Sequence, residues 1–392
     1  VSLQTVSMNG LSSTHTLVLI DGVKLNSFQN SGFDLSAVPK DNIRKIEVIN
    51  NGSSSIYGSE AVGGVINIIT DNALNNIEKP FSGKIITSLN TFSSKTFSLS
   101  LSGSYKKLKS GFYASSMSSD GRYNYYFTTK NGSELKEREN SGYNGTDFSA
   151  NLFYPFSNEQ TLSFYTHYMR QYKEVPGIET GGAAPRTNQN DKNINSILTY
   201  KRNFNSNISS QTTLNFQNNF SVYNNPPLIR SNYKNLVYSL SNRLDFSLGR
   251  VDITANYEFV YASLESNEVK GLPIRRKHSA SLIAEYRMFE NLVLFPSARY
   301  ETFSDIDEEI FTEGIGLNYR PLSDIPINLK LNFGKNFRAP SFNDLYWKQG
   351  GNPNLMSENS ENSEVGAIWS FNNYFSGNIE FSYRYISFIN KI

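Results

Sequence analysis

The chain has 392 residues, 18% of them charged, with a formal net charge of +2. That balance gives no ground for a nucleic acid or other polyanion as partner. Hydrophobic residues make up 38%, low for a packed soluble core of this length, while aromatics are abundant (27 Phe and 24 Tyr against 2 Trp) and the lack of Cys excludes disulfides.

From the N-terminus, an apolar run Leu17-Val18-Leu19-Ile20 stops at Asp21-Gly22, and a second run, Val23 to Leu25, follows directly. Asp-Gly between two apolar runs predicts a hairpin, because both residues tolerate the positive φ of a type I′ turn. The polar segment Asn26-Ser27-Phe28-Gln29-Asn30-Ser31 comes next. Pro39 and the residues up to Arg44 read as one or two helical turns with proline near the first position. Strands are predicted at Ile46–Ile49 and Val65–Thr70, around a turn containing Gly58, Gly63 and Gly64. Residues 1–70 therefore form a small α+β unit, and 71–80 read as a linker.

From Gly83 onward the pattern is strands. Phe97, Leu99 and Leu101 alternate with Ser98, Ser100 and Ser102, and Thr213, Asn215, Gln217 and Asn219 interleave with Leu214 and Phe216. Period-two alternation puts one set on each face of a sheet. It does not separate a soluble sandwich from a membrane barrel with a wet lumen. Connection lengths do. About 15 strands are expected, joined alternately by short turns (near 106–110, 155–160, 202–206, 248–250, 288–291, 321–326 and 372–377) and mostly long loops (118–145, 172–193, 223–233, 262–277, 338–362). Short turns at one end and long loops at the other fit an outer-membrane barrel.

Two motifs carry a resemblance. Tyr57-Gly58-Ser59-Glu60-Ala61-Val62-Gly63-Gly64-Val65-Ile66-Asn67-Ile68-Ile69-Thr70, with Leu19-Ile20-Asp21-Gly22-Val23 and Ile43 to Ile49, resembles the plug of TonB-dependent outer-membrane receptors. Asn336-Phe337-Arg338-Ala339-Pro340-Ser341-Phe342 to Tyr346, then Gly351-Asn352-Pro353-Asn354-Leu355, resembles a barrel motif of that family. Within the family, the plug wording is most similar to cobalamin receptors. The implied fold is an all-β membrane barrel, antiparallel and up-and-down, of the type with about 22 strands, holding a small α+β plug. At about 15 strands this chain would be an incomplete barrel: it opens in mid-plug without a signal peptide and ends in mid-strand, so about seven closing strands would lie downstream.

The resemblance implies no enzyme. It implies outer-membrane uptake of a scarce large ligand driven through TonB, whose box lies outside this sequence. The ligand implied is cobalamin or a related corrinoid. A ferric siderophore or haem on the same scaffold is the alternative, and a non-transporting β-rich adhesin or binding protein a distant one. Outer-membrane lipid and a surface lipoprotein are further partners in view. Ligand-binding candidates are Asn26 to Ser31, at a plug position that points outward in the family, and Arg338, Tyr346 and Trp347, whose cationic and aromatic groups suit a polar, ring-rich ligand. Each set reads also as structure: a solvated connection, and a loop folded into the barrel mouth. Asp305, Asp307, Glu308 and Glu309 are oxygen donors that could hold calcium, or the acids of a solvated loop. No other cofactor is expected. His15, His167 and His278 stand apart in sequence and suggest surface or lumen positions, not a metal site.

Overall fold

The computed structural model describes residues 4–38, 43–50, 52–70, 80–130, 132–177, 186–322, 326–370 and 376–387. The first apolar run becomes β1 (Thr16–Ile20), all five residues of which are buried. A strand apolar on both faces suits the centre of a covered sheet. β1 pairs antiparallel with β2 (Val23–Lys24) and parallel with β4 (Gly64–Thr70), and β3 (Ile43–Asn50) closes the order β2-β1-β4-β3. The turn between β1 and β2 holds Asp21 at φ +48° and Gly22 at φ +83°, the geometry that the Asp-Gly pair predicts. One short helix, α1 (Ser54–Tyr57), precedes Gly58.

The helical turns expected up to Arg44 are corrected at their end. Ile43 and Arg44 open strand β3, because Ile43 finds a ladder partner in Thr70. Residues 39–42 lie outside the described residues, as do 71–79 of the linker and the terminal 388–392.

The rest is one fifteen-stranded sheet in which each strand pairs antiparallel with its neighbours. It runs through β5 (Phe81–Asn90), β6 (Ser94–Tyr105), β7 (Leu108–Ser119), β10 (Tyr143–Pro155), β11 (Gln160–Glu174), β12 (Asn188–Asn203), β13 (Ile208–Asn225) and β14 (Ile229–Leu248). It continues through β15 (Val251–Ser266), β16 (Ile274–Phe289), β17 (Leu292–Phe303), β18 (Glu309–Tyr319), β19 (Ile327–Arg338), β20 (Glu358–Ser370) and β21 (Ser376–Ser387). A separate hairpin, β8 (Asn124–Thr129) with β9 (Gly132–Glu137), fills the connection from β7 to β10. The loop from β19 to β20 carries a one-turn helix, α2 (Phe342–Tyr346).

Connections 106–107, 156–159, 204–207, 249–250 and 290–291 lie at one end and are short. The long connections 120–142, 175–187 and 339–357 lie at the other. Two expected long loops are corrected: 223–233 shrinks to the turn 226–228, and 262–277 to the connection 267–273. β13 and β14 run for 18 and 20 residues, well beyond the roughly 9–11 that cross a bilayer. Their outer ends are polar, so they read as loop in sequence, yet they pair with each other from Ile208↔Phe246 to Asn225↔Ile229.

The sheet curls around the N-terminal unit. On β11, the buried Tyr165, His167, Met169, Gln171 and Lys173 alternate with the exposed Tyr168, Arg170 and Tyr172. The buried set faces the plug: Ile20 clusters with Tyr165 and Ile197, Gln217 donates to Lys24 O at 2.7 Å, and Ser54 N–H donates to Asn336 Oδ1 at 2.9 Å. The fold is thus an antiparallel barrel wall with a plug inside. Among the described residues the wall does not close, since β5 and β21 stand at its two edges.

Candidate ligand-binding site

The plug loop after β2 is braced from within. Asn26, 2% exposed, accepts from Val18 N–H at 2.7 Å and donates to Thr16 O and Ser31 O, both at 2.9 Å. Ser31 is buried as well, at φ +57°, and its N–H donates to Ser27 O at 2.8 Å. The structure thus splits the candidate segment. Asn26 and Ser31 hold the loop's shape, while Ser27, Gln29 and Asn30 line a cavity and Phe28 packs sideways. Asn26→Ala orphans three buried backbone groups, and is expected to cost about 2–3 kcal/mol. The check is the thermal midpoint of the full-length protein; an unchanged midpoint would mean Asn26 braces nothing.

Phe28 faces α2. Its ring lies 6.4 Å from that of Phe342, with the Lys24 ammonium 4.5 Å over it. Phe342 N–H donates to Phe28 O at 2.9 Å, and Asn343 N–H to Gln29 O at 2.8 Å. The two candidate segments, more than 300 positions apart in sequence, are therefore docked on each other. Phe342 closes a core with Val237, Val260, Ala262, Leu264 and Val269, against which Phe28 and Tyr346 pack.

Arg338 does not face open space. It pairs with Glu358, and with Asp344 at 3.2 Å, while His15 of the plug meets the same Glu358 at 2.6 Å. Tyr346 is half-buried between two hydrophobic clusters, and Trp347, 40% exposed, bridges to Val269. The acidic loop is similarly engaged. Arg275 grips Asp305 with two hydrogen bonds at 2.7 and 2.8 Å, and Glu308 accepts from Ser357 N–H and Oγ at 2.8 and 2.7 Å. Among the described residues, no three His, Cys, Asp or Glu come together as metal ligands.

Above the plug, toward the long-loop end, lies a cavity of about 330 Å³. Nine of its lining residues are carboxamides, among them Gln29, Asn30, Gln171, Gln189, Asn193 and Asn235, and none is Lys or Arg. Asn235 Nδ2 donates to Gln29 Oε1 at 3.2 Å, and Gln171 Nε2 to Ser36 O at 3.0 Å. The other ends of these amides, Gln171 Oε1 and Asn235 Oδ1, are buried without a partner. Contacts to a ligand in the cavity therefore fall to its half-buried amides, Asn193 and Asn219 among them. Lys173, on the same strand as the lining residue Gln171, is bound to Asp34 Oδ2 at 2.7 Å and Ser36 Oγ at 3.0 Å. Burial alone would raise the Asp34 carboxyl, but the Lys173 hydrogen bond and charge hold it below the usual carboxylate range. The Asp34 carboxyl therefore stays ionised at neutral pH.

Where the plug faces β15 to β17, charged pairs form within each unit, and the Arg299 guanidinium reaches across to Ile56 O of the plug at 3.4 Å. Lys24 pairs with Glu60 at 2.6 Å, Lys277 with Glu258 at 2.8 Å, and Arg299 with Glu301 and, at 3.6 Å, with Glu258. Gly58, at φ +86°, sits against this group: a Cβ there would lie 2.5 Å from Glu301 Oε1. The recognisable Tyr57–Thr70 segment is thus seated on the wall.

The strand carboxamides were not singled out in the sequence. The signal was present as the alternating Asn215, Gln217 and Asn219, which marks a polar face, but alternation does not say which polar residues reach a cavity.

Family models match along the whole chain: the TonB-dependent receptor plug domain over residues 2–65, and the TonB-dependent receptor-like β-barrel over residues 49–392. The vitamin B12 transporter BtuB of Vibrio vulnificus is 27% identical over 93% of this chain and 58% of its own length. That of Photobacterium profundum is 24% identical over 92% and 57%. The chain thus spans under two thirds of the length of these curated relatives. Among solved structures, a mutant of the ferric enterobactin receptor PfeA from Pseudomonas aeruginosa superposes with a TM-score of 0.77 at 17% identity, over 97% of this chain and 64% of that one. The siderophore receptor PirA from Pseudomonas aeruginosa gives 0.74 at 19%, over 97% and 68%. With plug and wall both matched and the sheet curled around the plug, the chain is an outer-membrane protein that belongs to the TonB-dependent receptor family.

Proposed function

We propose that the complete protein is a TonB-dependent transporter for cobalamin or a related corrinoid. The observation that carries this is the cavity lined by carboxamides and free of cations. A corrinoid is fringed with amide side chains, which both donate and accept hydrogen bonds, so an amide-lined wall complements it. A ferric catecholate chelate is an anion, for which charge-assisted contacts from Arg or Lys would be expected. The cavity is smaller than a whole corrinoid and would take one edge of it. The likeness to B12 transporters over most of the chain supports the same reading.

In this mechanism the Gln29–Asn30 tip and the strand amides hold the ligand against the plug. TonB, acting on the plug, then breaks the polar seams between plug and wall and opens a path. Many separate hydrogen bonds and ion pairs suit that task, because each can be exchanged for water as the plug shifts.

The test is calorimetric titration of the full-length receptor with cyanocobalamin and, in parallel, with ferric catecholate and haem. Saturable heat with cyanocobalamin alone is expected; silence at micromolar ligand, or heat only with a ferric chelate, rejects the proposal. Replacing Asn193 and Asn219, half-buried amides of the cavity wall, together by Leu should weaken cyanocobalamin binding by about tenfold or more, from two lost hydrogen bonds of about 1 kcal/mol each.

A further inference from the structure

The lipid-facing side of β11 to β14 carries two features that the transport reading does not use. The first is electrostatic. Arg170 on β11 and Lys192 on β12 are direct cross-strand partners, both exposed and on the outward face, four residues inside the long-loop ends of their strands. Partners in an antiparallel ladder stand about 5 Å apart, and like charges placed so destabilise the pairing. Among the described residues, nearby acids do not relieve them. Asp147 faces His167 at 3.2 Å, Asp191 lies beside Lys173 at 4.0 Å, Glu265 pairs with Lys234 at 3.5 Å, and Glu174 accepts from Gly142 N–H at 2.8 Å. Tyr168 and Tyr172 flank Arg170 on the same face, 37% and 41% exposed.

The second feature is a groove of about 360 Å³ on the outer surface, walled by Phe164, Leu198, Leu214, Phe216, Tyr238 and Leu240. The small Ser196 opens it, its hydroxyl turned aside to Thr166 Oγ1 at 2.8 Å. Ser196 lies four residues from Lys192 along β12, or about 13 Å at the rise of a strand. The groove therefore runs toward the membrane interior from directly beneath the basic pair.

We propose that this face is a binding site for a phosphorylated, multiply acylated glycolipid of the outer leaflet, its phosphate held between Arg170 and Lys192 and one acyl chain laid in the Ser196 groove. The long-loop end faces outward in such barrels, so the basic pair sits at headgroup height and the groove at acyl depth. An anion between the two cations turns their repulsion into paired charge-assisted contacts, with Arg able to grip phosphate through two N–H groups. The tyrosines add amphipathic surface at the interface. A bound lipid of this kind would stiffen the wall beside the ligand cavity, because Gln171, Asp191 and Asn193 of the cavity alternate with Arg170 and Lys192 on the same two strands.

The experiment is native mass spectrometry of the full-length receptor in detergent, titrated with bisphosphorylated hexa-acyl lipid A, with the same lipid stripped of both phosphates, and with inorganic phosphate. The parent protein should retain one lipid A and bind the stripped lipid at least about tenfold more weakly. Arg170→Gln/Lys192→Gln should lose the same factor for lipid A, and Ser196→Phe, which fills the groove and leaves both charges, should lose it too. The double variant removes a repulsion, so its heat-modifiable gel mobility should match the parent's. Lipid A retained equally by the double variant, or displaced by inorganic phosphate at equal concentration, would overturn the proposal. Neither result bears on the corrinoid titration.

Discussion

Arg299→Met is expected to lower the stability of the folded receptor by about 3–5 kcal/mol, the cost of leaving a buried charge without its partner. The Arg299 and Glu301 side chains are 4% and 1% exposed. The guanidinium also reaches Glu258 at 3.6 Å, Ser279 Oγ at 2.9 Å and Ile56 O of the plug at 3.4 Å. Its removal leaves Glu301 stranded beneath Gly58, while Glu258 retains Lys277. The thermal midpoint of the full-length protein reads the loss, and limited proteolysis of the plug shows whether the seam has opened. The double variant Arg299→Met/Glu301→Leu discriminates further. Replacing a buried pair by apolar groups is often neutral or stabilising, so it should recover most of the midpoint. A double variant as unstable as the single one would mean that shape, not charge, matters there.

Phe342→Ala should cost a similar amount, about 3–5 kcal/mol for emptying the space of a fully buried aromatic ring. Phe342 is 0% exposed and sits where Val237, Val260, Ala262, Leu264 and Val269 of the wall meet Phe28 of the plug. Two effects separate in the measurement. The midpoint falls because of the cavity, and the Phe28–Asn30 tip loosens because its stacking partner is gone. Ligand affinity should therefore drop even though Phe342 does not line the amide cavity. Phe342→Leu, which keeps most of the volume, should restore the midpoint more fully than the affinity. An unchanged midpoint in the alanine variant would show that α2 is not part of the core.

Much of the architecture was legible in the residues. Leu17 to Ile20 is apolar on both faces and became the central buried strand of the plug, and Asp21-Gly22 specified its turn through backbone geometry alone. Period-two alternation gave the wall, since the side-chain period of a strand is fixed by its pleat. Strand ends were less legible where the chain leaves the membrane. β13 and β14 continue through polar residues that nothing local distinguishes from loop, and only their mutual pairing makes them strands.

The candidate site shows the same division. Chemical type was readable: Asn26 to Ser31 is polar, and Arg338, Tyr346 and Trp347 are groups that bind ligands elsewhere. Orientation was not. A side chain's role depends on what faces it across hundreds of residues: Glu358 and Asp344 for Arg338, Arg275 for Asp305, three backbone groups for Asn26. Residue order was enough to specify a strand-built wall and a plug, because turn chemistry and alternation are local properties of the backbone. Which polar groups are spent on one another, and which, like Asn193 and Asn219, line a cavity half-buried, was settled only by the assembled fold, because satisfaction of a buried group is a property of its neighbours in space.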